Sequence, residues 1–202
     1  MEYWHDMITE ESWLLLQKIK GKFDFVLIGG WAVYLWARKN KSKDIDIIVD
    51  FNTLNSLKKN YDLGKNDKLR KYEIKENNID IDIYVSGFSK LGLPLDKIET
   101  TRVEGFVVAK IEELLILKQF AENARHASEK GQKDRIDIMG LLLGCEINFP
   151  RYNKILLQNK LEHMKSELLS LVRNFSEYNY VGLDPRQFKL QKNKIVEKLR
   201  SV

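Results

Sequence analysis

Apolar residues recur with two different periods along the chain, and the change of period divides it into two parts. Up to about residue 109, short apolar runs bounded by Gly, Asn or Asp are typical of strands that alternate with helices. Beyond that point apolar residues recur at helical spacing. We therefore expect an α+β fold, with a small mixed β-sheet core in residues 1–109 and a C-terminal helical bundle, residues 110–202, packed on it.

The same pattern, together with turn and capping residues, sets the bounds of the expected elements. Asn77-Asn78 predicts a tight hairpin turn because Asn tolerates positive φ, and Asp184-Pro185 predicts a helix start. Asn52 or Thr53 would cap the third helix, and residues 129–132 would form a turn between helices. The expected strands are 23–28, 44–50, 69–75 and 79–85, with a loop and one helical turn at 87–99 and extended chain at 101–109; the expected helices are 9–20, 31–39, 52–60, 111–127, 133–143, 152–175 and 184–202.

Composition narrows the class of protein. The chain has 202 residues, 44% hydrophobic and 31% charged, enough to bury a core and keep a polar surface. Its net charge of +5 suits an anionic partner such as a nucleotide or RNA, although many proteins of similar charge bind neither. Cys145 is the only cysteine, which excludes a disulfide framework and a cysteine-based zinc site. The N-terminus lacks an apolar signal core and the longest apolar run, residues 25–37, is broken by two glycines, so we expect a cytoplasmic protein without a membrane span.

Candidate chemistry is concentrated between residues 29 and 46. Gly29-Gly30 ends an apolar strand and precedes a helix, whose first backbone N–H groups are open to phosphate. Asp44 and Asp46 are two residues apart on the next strand and therefore point to the same side. Two carboxylates held this close repel each other unless a cation, most simply Mg²⁺, lies between them. One segment thus offers backbone N–H groups that can bind phosphate and carboxylates that can bind a metal ion.

A further acidic pair, Asp80 and Asp82, lies on one face of the strand at 79–85. If that strand lies beside the strand at 44–50, the carboxylates converge on a two-metal site suited to nucleotidyl transfer. Each motif also has a simpler interpretation, since an alternating Asp-Ile strand is often an edge strand with a wet face and a Gly-Gly pair is often only a turn. The combination of the motifs in this order favours the functional interpretation.

These residues resemble the signature of the polymerase-beta-type nucleotidyltransferase superfamily, in which a glycine motif binds triphosphate and three acids bind two Mg²⁺ ions. The resemblance implies that Gly29 and Gly30 contact the triphosphate. It also implies that Asp44, Asp46 and a third acid bind metal; Asp82 is preferred to Asp80 because it directly precedes an apolar strand end.

The segments 106–118 and 133–139 further resemble the AbiEii/MenT-like branch of that superfamily, with its toxin-like minimal nucleotidyltransferases. The branch carries a helix lysine and a Lys-Asp-x-x-Asp helix start, which implies catalytic roles for Lys118 and Asp134, with Asp137 as the alternative aspartate. Lys118 would also bind the nucleotide. An Arg-x-Thr often precedes the acid pair in that branch; here Ser42 takes the Thr place and is expected to bind nucleotide, whereas Asn40 takes the Arg place.

The sequence therefore predicts a Mg²⁺-dependent nucleotidyltransferase that uses an NTP such as ATP. The resemblance implies a hydroxyl acceptor on an RNA 3′ end such as that of tRNA, or on a protein, and a toxin–antitoxin role with an antitoxin partner. The alternatives are a catalytically inactive nucleotide-binding or protein-interaction module on the same fold, and an unrelated α+β protein with a coincidental acidic patch. A basic C-terminal tail would suit RNA backbone contact, although such a run is more often a solvated helix face; its residues are Lys189, Lys192, Lys194, Lys198 and Arg200.

Overall fold

A computed structural model describes residues 6–201 and gives them a mixed seven-stranded β-sheet with eight α-helices. The expected α+β class is thereby confirmed. The first five residues, used above to judge the N-terminus, and the last residue of the predicted final helix lie outside the described part. Among residues 6–201, no helix has both the length and the apolar character needed to cross a membrane.

The sheet has the strand order β3-β4-β5-β2-β1-β7-β6. β1 pairs antiparallel with β2 and parallel with β7, and β2 pairs parallel with β5, so β5, β2 and β1 lie at its centre. Antiparallel pairs form both edges of the sheet. β3 pairs with β4 and β4 with β5 at one edge, and β6 pairs with β7 at the other. The strands are β1 Val26–Ile28, β2 Ile45–Val49, β3 Gly64–Asn66, β4 Lys71–Glu76, β5 Ile79–Val85, β6 Thr100–Val103 and β7 Phe106–Ala109.

The second half of the chain is helical, as the helical spacing of its apolar residues predicts. α4 is buried over its first nine residues, and it packs against α5, which also contacts α2. α2 in turn contacts β1 and β2, so α2, α4 and α5 are held together against the centre of the sheet. The helices are α1 Asp6–Lys20, α2 Gly29–Ala37, α3 Phe51–Asn60, α4 Ile111–Arg125, α5 Glu129–Gly144, α6 Phe149–Asn159, α7 His163–Asn174 and α8 Pro185–Arg200.

Two local predictions hold in detail. Asn77 and Asn78 both have positive φ, 49° and 65°, and turn the chain between β4 and β5 as a tight hairpin. The Asp184 side chain accepts hydrogen bonds from the backbone N–H groups of Arg186 and Gln187, so α8 begins at the predicted proline.

Several bounds in the first half differ from the prediction. β1 is only three residues long, and α2 begins at Gly29 itself rather than at residue 31. Asp50, not Asn52 or Thr53, caps α3 by accepting from the Thr53 N–H at 2.7 Å. The short strand β3 carries no apolar pattern and is absent from the prediction, and the extended chain at 101–109 is a hairpin that turns at Glu104 and Gly105.

Two predictions in the second half are wrong. Residues 129–132 form the first turn of α5 rather than a connecting turn, because Ser128 caps the helix through the Gly131 N–H. The single helix expected over 152–175 is two helices, α6 and α7. They separate at Lys160, whose φ of 58° is left-handed and ends α6.

Candidate active site

The centre of the site is the junction of β1 with α2. Gly29 has a φ of +66°, and a Cβ on it would lie 2.6 Å from Asp46 Cγ, so the carboxylate occupies the space a side chain would take. Ile28 precedes the helix without a side-chain cap, which leaves the first N–H groups of α2 available. This helix end therefore faces Asp46 and favours negative charge.

The strand register brings two of the predicted acids side by side. Asp46 pairs with Ile28 on β1 and with Asp82 on β5, so the two acids occupy equivalent positions on neighbouring strands. Adjacent strands lie about 4.8 Å apart. Burial raises the pKa of Asp46, with Asp44 adding to the increase and Lys118 and Arg125 opposing it. Burial and the charge of Asp46 also raise the pKa of Asp82, to about 6.

Lysines neutralise the two outer acids. Lys130 Nζ lies 3.1 Å from Asp44 Oδ2, and Lys71 Nζ lies 2.6 Å from Asp82 Oδ2 and 3.0 Å from Glu73. With these side-chain conformations, no three Asp, Glu, His or Cys side chains between residues 6 and 201 are grouped as metal ligands. The carboxylate set Asp44, Asp46 and Asp82 fits a hard cation such as Mg²⁺ in chemistry and register, but the outer two must exchange their lysine partners to bind one.

Asp80 is more exposed than Asp44 and Asp82. Its side chain is 43% exposed and faces Lys75 at 3.8 Å, in the register of β4 with β5. Asp82 is 16% exposed and lies opposite Asp46. The structure therefore places Asp82, and not Asp80, beside the acid pair.

Lys118 belongs to a buried ion network between α4 and α5. Its Nζ lies 3.0 Å from Asp134 Oδ1 and 2.7 Å from Asp137 Oδ2, and all three side chains are buried. Burial alone would lower the pKa of Lys118, but the charges of Asp137 and Asp134 outweigh it and raise the pKa. Lys118 is therefore a fixed positive charge whose field reaches Asp46.

Asp134 is held from two sides, by Lys118 and by Arg125 Nε at 2.7 Å. Burial acts to raise the pKa of its carboxyl, but Lys118 and Arg125 outweigh this effect and lower the pKa. Asp137 is equally buried, and its Oδ1 has no hydrogen-bond partner among the residues that the structure describes. Both aspartates of the Lys-Asp-x-x-Asp motif thus contact Lys118, and the geometry does not separate them by distance.

Lys133 is a further site residue that sequence reasoning missed. Its ammonium donates to Asp137 Oδ2 at 2.9 Å and lies 3.0 Å from the position of a Cβ on Gly30. Ser42 Oγ lies 2.5 Å from that same position, so the lysine and the hydroxyl flank the start of α2. The sequence signal for Lys133 was its position in the Lys-Asp-x-x-Asp motif, which also supplies its acidic partner. A lysine is rarely fully buried unless it has such a partner.

Asn40, Ser42 and Tyr84 complete the surroundings. Asn40 and Ser42 are both buried, and the Asn40 side-chain amide donates to the Tyr180 carbonyl at 3.5 Å. The Asn40 side chain is thus tied to the second half of the chain. Tyr84 Oη lies 3.5 Å from Asp46 Oδ1, and burial with the nearby acid charges raises the pKa of this phenol, which keeps it protonated.

A cleft of about 580 Å³ between α4, α5 and α7 lies away from these groups. It is lined by polar side chains such as Glu122, His126 and Arg135, and none of the three candidate metal ligands borders it. We therefore place the candidate chemistry at the N-terminal end of α2 and the central strands rather than in this cleft.

Comparisons with known proteins bear on the same region. A family model described as a nucleotidyltransferase of unknown function (DUF6036) matches residues 6–181. Two crystal structures from Helicobacter pylori share the fold. JHP933 has a TM-score of 0.52 and 18% identity and covers 98% of this chain and 95% of its own. A candidate nucleotidyltransferase has a TM-score of 0.53 and 20% identity, with 98% of each chain covered. No curated protein matches the sequence significantly.

Proposed function

The chain belongs to this family of nucleotidyltransferases of unknown function, and we propose that it is a Mg²⁺-dependent enzyme that moves a nucleoside monophosphate from an NTP to a hydroxyl acceptor. One observation carries the proposal. Asp46 and Asp82 lie side by side on neighbouring strands, with Asp46 against the uncapped start of α2. A carboxylate pair beside a helix N-terminus supplies a metal site and a phosphate site in one place.

In the proposed reaction the acceptor hydroxyl loses its proton to solvent water, and its oxygen bonds to the α-phosphorus. The bond from the α-phosphorus to the oxygen bridging to the β-phosphorus breaks, and pyrophosphate leaves with that electron pair. When bound by Asp44, Asp46 and Asp82, two Mg²⁺ ions would lower the pKa of the acceptor hydroxyl and neutralise the triphosphate.

The chain's own groups would hold the triphosphate at the start of α2. The N–H groups of the first turn face it without a protein cap, and Gly30 has no side chain to block the approach. Ser42 can donate one hydrogen bond from its hydroxyl, and Lys133 supplies a positive charge on the same side. These four features form a small anion site of fixed geometry.

Lys118 would stabilise the charge that develops as pyrophosphate leaves, because its charge is fixed and buried. Asp134 is better suited to orient Lys118 than to accept a proton. Its pKa lies below that of an ordinary aspartate, since Lys118 and Arg125 favour its charged form. Asp137 would orient Lys118 and Lys133 together.

The AbiEii/MenT-like assignment is a proposal that rests on the quoted motifs. It implies a toxin that modifies an RNA 3′ end, such as that of tRNA, or a protein hydroxyl, under the control of an antitoxin. ATP is one of the possible donors. The proposal that the chain is a nucleotidyltransferase does not depend on the branch, the acceptor, the antitoxin or the choice of NTP.

One observation favours the alternative, a catalytically inactive nucleotide-binding or protein-interaction module. Lys130 and Lys71 already pair with Asp44 and Asp82, so the acidic group is partly neutral without a metal. Under that alternative, Mg²⁺ would bring about no transfer. The test below separates the two possibilities.

The test is incubation of the purified protein with each α-³²P-labelled NTP, Mg²⁺ and total RNA. Asp46→Asn serves as the inactive control, and Asp80→Asn, on the neighbouring strand β5, as a matched control. Label that moves to RNA or protein with the wild type and Asp80→Asn, but not with Asp46→Asn, supports the transferase. Mg²⁺-dependent NTP binding without any labelled product, over all four NTPs and both acceptor classes, supports the inactive module.

A further inference from the structure

The excess positive charge of the chain is carried by α8. The helix contains six basic residues and one acid, Glu197, so its net charge of +5 equals that of the whole chain. The remaining residues are together neutral. The family match ends at residue 181, before this helix begins.

Most of this charge has no acidic partner in the part of the chain that the structure describes. Lys192 is used structurally, since its ammonium donates to the carbonyl oxygens of Arg173 and Phe175 at the end of α7, both at 3.1 Å. The other five basic side chains are exposed, and no carboxylate within residues 6–201 pairs with them. They are Arg186, Lys189, Lys194, Lys198 and Arg200. Unpaired charge at this density favours a polyanionic partner.

The apolar side of α8 is already occupied. Phe188, Ile195 and Leu199 are buried, and the Phe188 ring lies 6.0 Å from that of Phe175. A basic amphipathic helix binds a membrane through its apolar face, and this face is not available. On the solvent side, Leu190 is the only large apolar residue of α8 that is strongly exposed. The lysine-rich face therefore lacks the apolar core typical of a protein interface and suits phosphate contact.

The segment that leads into α8 contacts two elements that also carry site residues. The segment before it is tied to α5 by Gln132 Nε2 and Glu177 Oε1 at 3.2 Å, and to the loop that leads to Asp44 by Asn40 and the Tyr180 carbonyl. In that loop Lys39 Nζ lies 3.7 Å from the position of a Cβ on Gly182. The segment before α8 is thus held against α5, which carries Lys118's partners Asp134 and Asp137, and against the loop between α2 and β2.

We propose that the exposed face of α8 binds the backbone of RNA, and that the acceptor of the reaction proposed above is consequently an RNA. The acceptor part of this inference rests on the proposed function, whereas RNA binding by α8 stands without it. The helix has 16 residues and is about 24 Å long, enough to follow several phosphates of one strand. Its charges surround the solvent side and do not form one pocket, so binding is independent of base sequence.

The test compares two triple variants that remove the same charge. Lys189→Gln/Lys194→Gln/Lys198→Gln changes α8, and Lys22→Gln/Lys58→Gln/Lys59→Gln changes exposed lysines before β1 and on α3. Fluorescence anisotropy with a labelled single-stranded RNA is measured over a range of NaCl concentrations. The α8 variant should bind about tenfold more weakly, with a slope of log K against log salt reduced by about 2, since each lost phosphate contact removes about 0.7. The control should keep nearly the wild-type slope, and thermal melting should confirm that both variants fold.

If both variants lose the same RNA affinity, only the net charge of the protein matters, and the proposal of a docking surface on α8 is wrong. The proposal is also wrong if the wild type does not bind RNA. Mg²⁺-dependent NTP binding by calorimetry on the same samples keeps the two proposals separate. The α8 variant should retain NTP binding, and Asp46→Asn should lose it while retaining RNA binding. If NTP binding fails in the wild type while RNA binding still depends on α8, the transferase proposal falls and the docking surface stands.

Discussion

The carboxylate of Asp46 lies against the backbone of Gly29, where a Cβ would be only 2.6 Å from Asp46 Cγ. Glycine is needed at this position for two reasons. A Cβ would collide with the Asp46 carboxylate, and the φ of +66° is unfavourable for other residues. The contact fixes the acid relative to the start of α2. Backbone conformation and carboxylate position are therefore coupled at this point.

Gly29→Ala should consequently abolish Mg²⁺-dependent nucleotide binding by displacing Asp46. Gly87→Ala is the matched control, since Gly87 has a φ of +80° but nothing within 4 Å of a Cβ. The control should lose about 1 kcal/mol of stability from backbone strain and keep binding. Calorimetric titration and thermal melting measure both quantities. Retention of nucleotide binding by Gly29→Ala would contradict the coupling.

Asp46→Asn should stabilise the folded protein in the absence of Mg²⁺ while removing transferase activity. Burial disfavours the charged form of Asp46, so a neutral amide should raise the free energy of unfolding at pH 7. Urea denaturation measures this change. Asp80→Asn, at a more exposed position, should leave stability nearly unchanged. A destabilised Asp46→Asn would show that the cations Lys118 and Arg125 outweigh burial.

Stability without metal should fall as the pH rises through about 6. The folded-state pKa of Asp82, about 6, lies above that of the unfolded chain, about 4. The folded protein thus holds this proton more tightly, and the stability it contributes at low pH is lost between about pH 4 and pH 6, on the order of 2 kcal/mol. Unfolding free energies measured across this range should flatten in Asp82→Asn. An unchanged slope in that variant would assign the effect to another group.

Lys118→Met should be strongly destabilising, because it leaves Asp134 and Asp137 with fewer positive partners in a buried place. A loss of about 3 kcal/mol is expected from removing one partner of a buried ion network. Adding Asp137→Asn should restore part of the stability without restoring nucleotidyl transfer. Chemical denaturation of the two single variants and the double variant gives the coupling energy. Additive losses would mean that the two side chains do not interact.

The sequence predicted the parts of the site that local patterns determine. The strand that carries Asp46 follows from its period, although β2 begins only after Asp44, and the hairpin that brings Asp82 back towards the sheet follows from Asn77-Asn78. The pairing of β2 with β5, which places Asp82 beside Asp46, is a tertiary fact that no local pattern contains. The sequence predicts that the carboxylates converge only if these two strands are neighbours.

The errors have identifiable physical causes. Gly131 was interpreted as a turn residue, yet it lies within α5, where a Cβ would clash with the Arg125 carbonyl at the end of α4. Lys160 takes the left-handed conformation that usually calls for Gly or Asn, so the break between α6 and α7 has no sequence signal. Residue type alone predicts an exposed lysine at position 133, whereas the structure buries Lys133 beside Asp137.

Asp44 and Asp46 precede most of their counter-charges in the chain, whereas Asp82 already has Lys71 on the neighbouring strand β4. Lys130 meets Asp44 across 86 positions of sequence, and Lys118, Lys133 and Arg125 likewise follow all the strands. A ribosome-bound chain that has exposed only its sheet therefore holds Asp44 and Asp46 without the counter-charges of Lys130, Lys118 and Arg125. Under the proposed function, triphosphates in the cell are protected from the unfinished protein, since catalysis can begin only after α5 has left the exit tunnel and docked.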